Sequence, residues 1–139
     1  LPSFISHGME GAVLLFDVDR LQRINDILGY LVGDEVLQRL GQKCQSMEGV
    51  ISYRGPGGKF YCITTEKSES ALDRIYREVQ RFSEEVPREM NLEIQLTISC
   101  GVAFFPQDAE DFETLHANVE YALEQAKKVG RGSIAQFSG

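Results

Sequence analysis

The chain has 139 residues, a formal charge of −7 and a pI near 4.8, enough for one domain that buries about 68% of its unfolded surface around a single core. That acidic balance excludes a surface that holds nucleic acid or anionic lipid by bulk electrostatics, because phosphate neutralisation needs a basic stripe; any anion site has to be local. No apolar run approaches the ~18 residues of a membrane span and no signal-peptide pattern opens the chain, while the three cysteines Cys44, Cys62 and Cys100 lack metal-ligand spacing and read as reduced core thiols of a cytoplasmic domain, whose longer parent can still carry a membrane anchor.

Residues 1–10 read as an irregular lead-in. Ala12 to Phe16 is a continuous apolar run ending at Asp17, the pattern of a central strand covered on both faces. Asp19 is placed to N-cap a short helix whose apolar face is Leu21, Ile24 and Leu28. After a turn at Gly29 to Gly33, a second helix carries Val36, Leu37, Leu40 and Cys44, with Asp34 and Glu35 at its positive end. Two short strands, Val50 to Tyr53 and Phe60 to Thr64, are joined by Gly55-Pro56-Gly57-Gly58 as a hairpin. A long helix puts Leu72, Ile75, Val79, Phe82 and Val86 on one stripe. Ile94, Leu96, Ile98, Cys100, Val102 and Phe104 alternate as a strand that Pro106 ends. A last helix with Phe112, Leu115, Val119, Ala122 and Ala126 closes at Lys127-Lys128 and Gly130, and a final strand spans Ser133 to Phe137.

The order β-α-α-β-β-α-β-α-β contains a ferredoxin-like βαββαβ core. It predicts an α/β fold, an α+β sandwich with a mixed, mostly antiparallel sheet covered by helices on at least one face. Most local features also have ordinary structural uses. Asp17 at a strand end, Asn25-Asp26 at a helix-end turn, and Lys127 with Arg131 as charge at a helix C-terminus are such cases. His7 sits in the irregular N-terminal segment and His116 on a polar helix face, so neither is assigned to metal or catalysis, and Tyr53 and Tyr61 read as sheet packing.

Taken in order, Phe16-Asp17-Val18-Asp19, Ile24-Asn25-Asp26, Gly29-Tyr30, Gly33-Asp34, the hairpin Arg54 to Phe60, Ser99-Cys100-Gly101-Val102-Ala103 and Ala126-Lys127-Lys128-Val129-Gly130-Arg131 resemble a GGDEF domain, the diguanylate cyclase family. The resemblance covers nearly the whole chain as a single domain. It implies a nucleotidyl-cyclase palm and a role in cyclic di-GMP signalling. It makes Asp17 and the Val18 carbonyl the vestige of a metal site, Asn25 and Asp34 a guanine-binding pair, and Lys127 and Arg131 ligands of the terminal phosphate. A carboxylate at Asp34 can accept from guanine N1–H and N2–H together, which adenine cannot match.

The same resemblance locates what is missing. With Arg54 and Phe60 as anchors, the signature falls on Pro56-Gly57-Gly58-Lys59-Phe60, so Gly58 and Lys59 replace the acidic pair; a register shifted by one residue also supplies no carboxylate. No Asp or Glu occurs from Gly49 to Thr65. Gln22 stands for a phosphate-directed lysine and Tyr30 for the usual histidine. The product-inhibition pair falls on Met47-Glu48-Gly49-Val50, which offers neither guanidinium nor carboxylate for cyclic di-GMP. A two-metal site needs acids to hold the ions about 3.5–4 Å apart. Asp17 alone is a poor cage, and Lys59 repels Mg²⁺ but suits a phosphate.

The resulting expectation is a catalytically silent regulatory domain with no required cofactor. It binds GTP weakly, with Mg²⁺ weak or absent, and modulates a neighbouring EAL phosphodiesterase or sensor domain of the same polypeptide. A homodimer is compatible with it; nucleic acid and direct membrane contact are not expected. The alternatives are an interaction or dimerisation module that binds no nucleotide, and a residual diguanylate cyclase.

Overall fold

The apolar run at the start of the chain becomes the middle strand of the sheet, because only there are both faces of a strand covered. In the computed structural model, which describes residues 10–138, β1 (Gly11–Val18) lies between β3 (Lys59–Thr64) and β4 (Ile98–Phe105), antiparallel to both. β2 (Ile51–Arg54) pairs antiparallel with β3 and β5 (Ile134–Gln136) parallel with β4, so the order is β2-β3-β1-β4-β5. The lead-in apart from Glu10, and His7 within it, lie outside the described residues.

Four helices complete the α+β sandwich: α1 (Leu21–Leu28), α2 (Tyr30–Ser46), α3 (Glu69–Glu89) and α4 (Phe112–Val129). Alternation along β1 sends Leu14, Phe16 and Val18 into a core shared with Ile24 of α1, Val36 and Leu40 of α2 and Ile75 and Val79 of α3. Val13 and Leu15 face the other way, into a core with Leu115, Val119 and Leu123 of α4. Helices therefore cover both faces. Ser68 caps α3 by accepting from Ala71 N at 3.2 Å, and Asp111 caps α4 by accepting from Thr114 N at 2.8 Å.

Three local expectations are corrected. β4 starts at Ile98 rather than Ile94, although Leu96 is buried in the same core. Alternation reports which way side chains face, whereas a strand also needs a hydrogen-bonding neighbour, and β1 has ended at Val18. Asp19 does not cap α1: Arg20, in the left-handed region at φ 55°, precedes that helix with no side-chain cap, and the Asp19 carboxylate bonds to β4 instead. The second turn is shorter than expected. Gly29 alone, at φ 91°, separates α1 from α2, so Gly33 and Asp34 lie inside α2 and Asp34 is not at its positive end.

α4 sits close over the sheet because β4 has a glycine under it. A β-carbon at Gly101 would run into the Leu123 backbone nitrogen and come within 2.7 Å of the Val119 carbonyl. Gly101→Ala should destabilise the fold by about 2–3 kcal/mol and lower Tm by roughly 6–12 °C. Gly41→Ala on α2, where the new carbon meets only the Phe60 ring edge at 3.4 Å, should leave Tm unchanged or raise it. Thermal unfolding followed by circular dichroism compares the two; equal losses would mean that the close approach of α4 is not what Gly101 serves.

Candidate functional site

The site forms where β1 ends and β3 begins, beneath the last turn of α4. Asp17 stands opposite Lys59 of β3 and Ser99 of β4 in the sheet register, and alternation with Val13 and Leu15 turns it toward α4. There the Lys127 ammonium donates to Asp17 Oδ2 at 2.5 Å. Burial alone would lower the Lys127 pKa, but the hydrogen bond and charge of Asp17, helped by Glu124 and Asp19, outweigh it and raise the pKa. The ammonium is therefore a fixed positive charge.

The hairpin places its glycine against this pair. Arg54 pairs with Phe60 across the strands, Gly55 N donates to Lys59 O at 2.9 Å and Val18 N donates to Gly58 O at 3.0 Å. A β-carbon at Gly58 would stand 3.5 Å from Asp17 Oδ1 and 3.2 Å from the Val18 β-carbon. Gly58 is thus the hairpin position that faces Asp17, and a side chain there would be cramped. Lys59 turns instead to α4, where its ammonium donates to Glu120 at 3.0 Å with both side chains about a quarter exposed, at 26% and 27%.

Glu120 also gathers groups that the sequence pattern left as packing. The Tyr61 hydroxyl is 2.7 Å from His116 Nε2 and donates to Glu120 at 3.3 Å, while the Tyr61 ring stacks on Tyr53 at 4.7 Å between centroids. Tyr61 packs in the sheet as expected and adds a hydroxyl that reaches the polar face of α4, where His116 and Glu120 stand. Burial, then the Glu120 charge, push the Tyr61 hydroxyl well above the usual tyrosine range. The spacing of His116, Glu120 and Lys127 along one side of α4 was the available signal. It meant little until the strand beneath that side was known.

The remaining residues lie apart. Asn25 of α1 packs its amide on Gly33 of α2, where a β-carbon would collide with it, and Asn25 Oδ1 is buried with no partner among the described residues. Asp34 follows Gly33 and is exposed. Arg131 is not on the α4 helix: that helix ends at Val129, and Arg131 lies beyond Gly130 in a crevice with Arg20 and Arg23. So Asp17, Gly58, Lys59 and Lys127 come together, Asn25 packs on the Gly33 that precedes the exposed Asp34, and Arg131 faces a third place.

Comparison with known proteins fits this geometry. The family described as diguanylate cyclase, GGDEF domain, matches residues 4–133. The chain belongs to the GGDEF family. It is 30% identical over 132 residues to the cyclic di-GMP phosphodiesterase NbdA of Pseudomonas aeruginosa, covering 91% of this chain and 16% of that protein. It is 31% identical over 133 residues to the diguanylate cyclase DosC of Escherichia coli K12, covering 91% and 28%. An EAL/GGDEF domain protein from M. capsulatus superposes with a TM-score of 0.79 at 26% identity, covering 95% of this chain and 87% of that one. The chain thus spans well under half the length of these two curated relatives.

The cyclase palm is therefore established, and the Mg²⁺ that family chemistry implies can be tested against the donors present. They do not fit it. Asp17 is engaged by an ammonium, Gly58 has no side chain, Lys59 adds positive charge, and no group of three His, Cys, Asp or Glu side chains gathers among the described residues.

The raised Tyr61 pKa fixes the sign of a pH dependence. Folded Tyr61 keeps its proton after the unfolded chain loses it near pH 10, so its contribution is complete below about pH 10 and falls as pH rises toward the folded value. Tyr61→Phe should flatten the loss of stability between about pH 10 and 11.5, after a cost near 1 kcal/mol at neutral pH for the lost hydrogen bond. Urea midpoints measured across that range test it, and identical slopes in the two proteins would refute the assignment.

Proposed function

We propose that this GGDEF domain is a cytoplasmic regulatory module that binds GTP weakly, makes no cyclic di-GMP, and modulates an output domain of the same polypeptide such as an EAL phosphodiesterase. The Asp17–Lys127 pair at 2.5 Å carries the reading. The carboxylate in the metal position is neutralised by a lysine of the chain itself, which leaves no acid to hold a dication against a triphosphate. Base recognition has support of a different kind. Asn25 Oδ1, buried and unpartnered, and the exposed Asp34 carboxylate supply acceptors for the donor edge of guanine. The phosphodiesterase-named relative, of which this chain spans 16%, is the reason for placing the module beside a hydrolytic output domain.

The family reaction joins two GTP molecules across a dimer, so each half-site would need its own metals. The domain incubated with GTP and Mg²⁺ or Mn²⁺ should give no product by mass spectrometry above a blank; product that disappears in Asp17→Ala would return the residual cyclase reading. Because Asp34 is exposed, the preference for GTP over ATP should be about tenfold, far from the 10⁴ of a buried polar pocket. Asp34→Ala should remove it.

Asp17 supplies a test with an unusual sign. In a metal-dependent cyclase its loss weakens nucleotide binding. Here Asp17 competes with phosphate for Lys127, so Asp17→Asn should strengthen GTP binding a few-fold in the presence of EDTA. The same pair favours a second reading, in which Lys127 is permanently spent on Asp17 and the domain acts as an interaction module. No amide shift with millimolar GTP in wild type or Asp17→Asn would decide for that reading.

A further inference from the structure

The sheet has two open edges, and β2 is the longer and less guarded of them. β5 at the far edge has three residues, whereas β2 offers Ile51, Ser52, Tyr53 and Arg54 with no proline and with its only charge at the end. The hydrogen-bonding phase of that edge follows from the hairpin. Gly55 N donates to Lys59 O at 2.9 Å, and antiparallel pairs alternate between bonded and unbonded. Tyr53 and Ile51 therefore direct their backbone groups at Tyr61 and Ile63, while Ser52 and Arg54 turn theirs outward. No turn, loop or side-chain hydrogen bond among the described residues meets those outward groups.

The side chains at this edge are as uncovered as its backbone. Ile51 is 53% exposed and Tyr53 37%, although their cross-strand partners Ile63 and Tyr61 are buried in the core under α4. One face of the Tyr53 ring lies on Tyr61 with the planes 5° apart, so its opposite face points off the edge. On the other side of the sheet a groove of about 250 Å³ lies between α2 and β2, lined by Gln38, Gln42 and Gln45 with Ser52 and Arg54. None of its lining residues is a carboxylate, and no Asp or Glu occurs from Gly49 to Thr65. A chain with 21 acidic residues and a net charge of −7 repels its own copies over most of its surface; along this strip two copies approach with least repulsion.

We propose that β2 is a self-association surface: two copies pair β2 with β2, antiparallel about a twofold axis at Tyr53, and join their five-stranded sheets into one. In that register Ser52 of each copy exchanges both backbone hydrogen bonds with Arg54 of the other, and Tyr53 meets Tyr53 in the closer, unbonded pair. The stack of two tyrosines becomes a stack of four. The antiparallel sense also carries the Arg54 end of each strand toward the end of the other where Glu48 and Glu66 stand, which is attractive. The contact is isologous and closes as a dimer. A four-residue ladder is small beside the about 1,200 Å² of a standard interface, so the dimer is weak. The surface uses none of Asp17, Asn25, Asp34 or Lys127, so it goes beyond the nucleotide reading and does not rest on it.

The test follows the whole chain without nucleotide by sedimentation velocity and amide NMR, from about 10 µM to about 1 mM protein. Saturable shifts over residues 50–55 and at Gln38, Gln42 and Gln45 are expected, with hydrogen exchange at the Ser52 and Arg54 amides slowed about threefold or more at the highest concentration. Ser52→Pro removes an outward donor and no bond of the monomer, and should abolish the association. Ser52→Glu, opposite Arg54 of the second copy, should tighten it a few-fold, which keeps the surface testable if the proline variant folds poorly. A chain that stays monomeric throughout, shifts that centre on residues 17–34 or 127–131, or association that Ser52→Pro leaves unchanged would overturn the surface. Association with no response to GTP would support it while the nucleotide reading fails; a GTP-binding chain that stays monomeric would do the reverse.

Discussion

The buried carboxylate of Asp19 is the tie on which the active end of the domain depends. Its oxygens accept from Thr97 Oγ1 at 2.8 Å, Ser99 Oγ at 2.8 and 2.9 Å and Gly132 N at 3.0 Å, while its own amide donates to Thr97 O at 3.0 Å. An ionised carboxylate out of water is tolerable only when its lone pairs are met by directed donors, and here three are supplied by two elements distant in sequence. The end of β1 is thereby fastened to β4 and to the turn after α4. Asp17 and the crevice of Arg20 and Arg131 take their positions from that fastening, so two of the three neighbourhoods share one anchor.

Beside that anchor, the domain balances its charges internally. Asp17 meets Lys127 and Lys59 meets Glu120, two opposite-charge pairs linking the strand ends to α4 where the family's cyclases gather acids around metal. In a partly buried setting, a pair of this kind matters less for its own strength than for the cost of leaving one member alone. Lys59 in the signature therefore requires Glu120 on the helix above it. The hairpin is braced against α4 by side chains where a metal would otherwise bridge phosphate and protein.

The element order and core faces were legible in the sequence because they rest on periodicity, a local property. The β1 run, the α3 stripe from Leu72 to Val86 and the α4 stripe appear where the pattern put them. Periodicity misled where it was taken to imply hydrogen bonding: Ile94 and Leu96 keep the strand alternation but lie beyond the reach of β1. Asp19 misled for a related reason. An Asp ahead of a helix is a good cap in isolation, but Ser99 of β4 and Thr97 just before it offered its carboxylate better donors.

The sequence by itself determined the family, the palm fold and the absence of signature acids, since each depends on residue identity and order. Pairing was decided only in the tertiary structure. That Lys127 occupies Asp17, that Glu120 takes up Lys59, and that Arg131 leaves the α4 face to join Arg20 and Arg23 follow from contacts between residues up to 111 positions apart (Arg20 to Arg131 in one crevice). Such contacts carry no periodic signal. They arise from the register of β1 against β3 and β4 and from the height at which Gly101 lets α4 rest on the sheet.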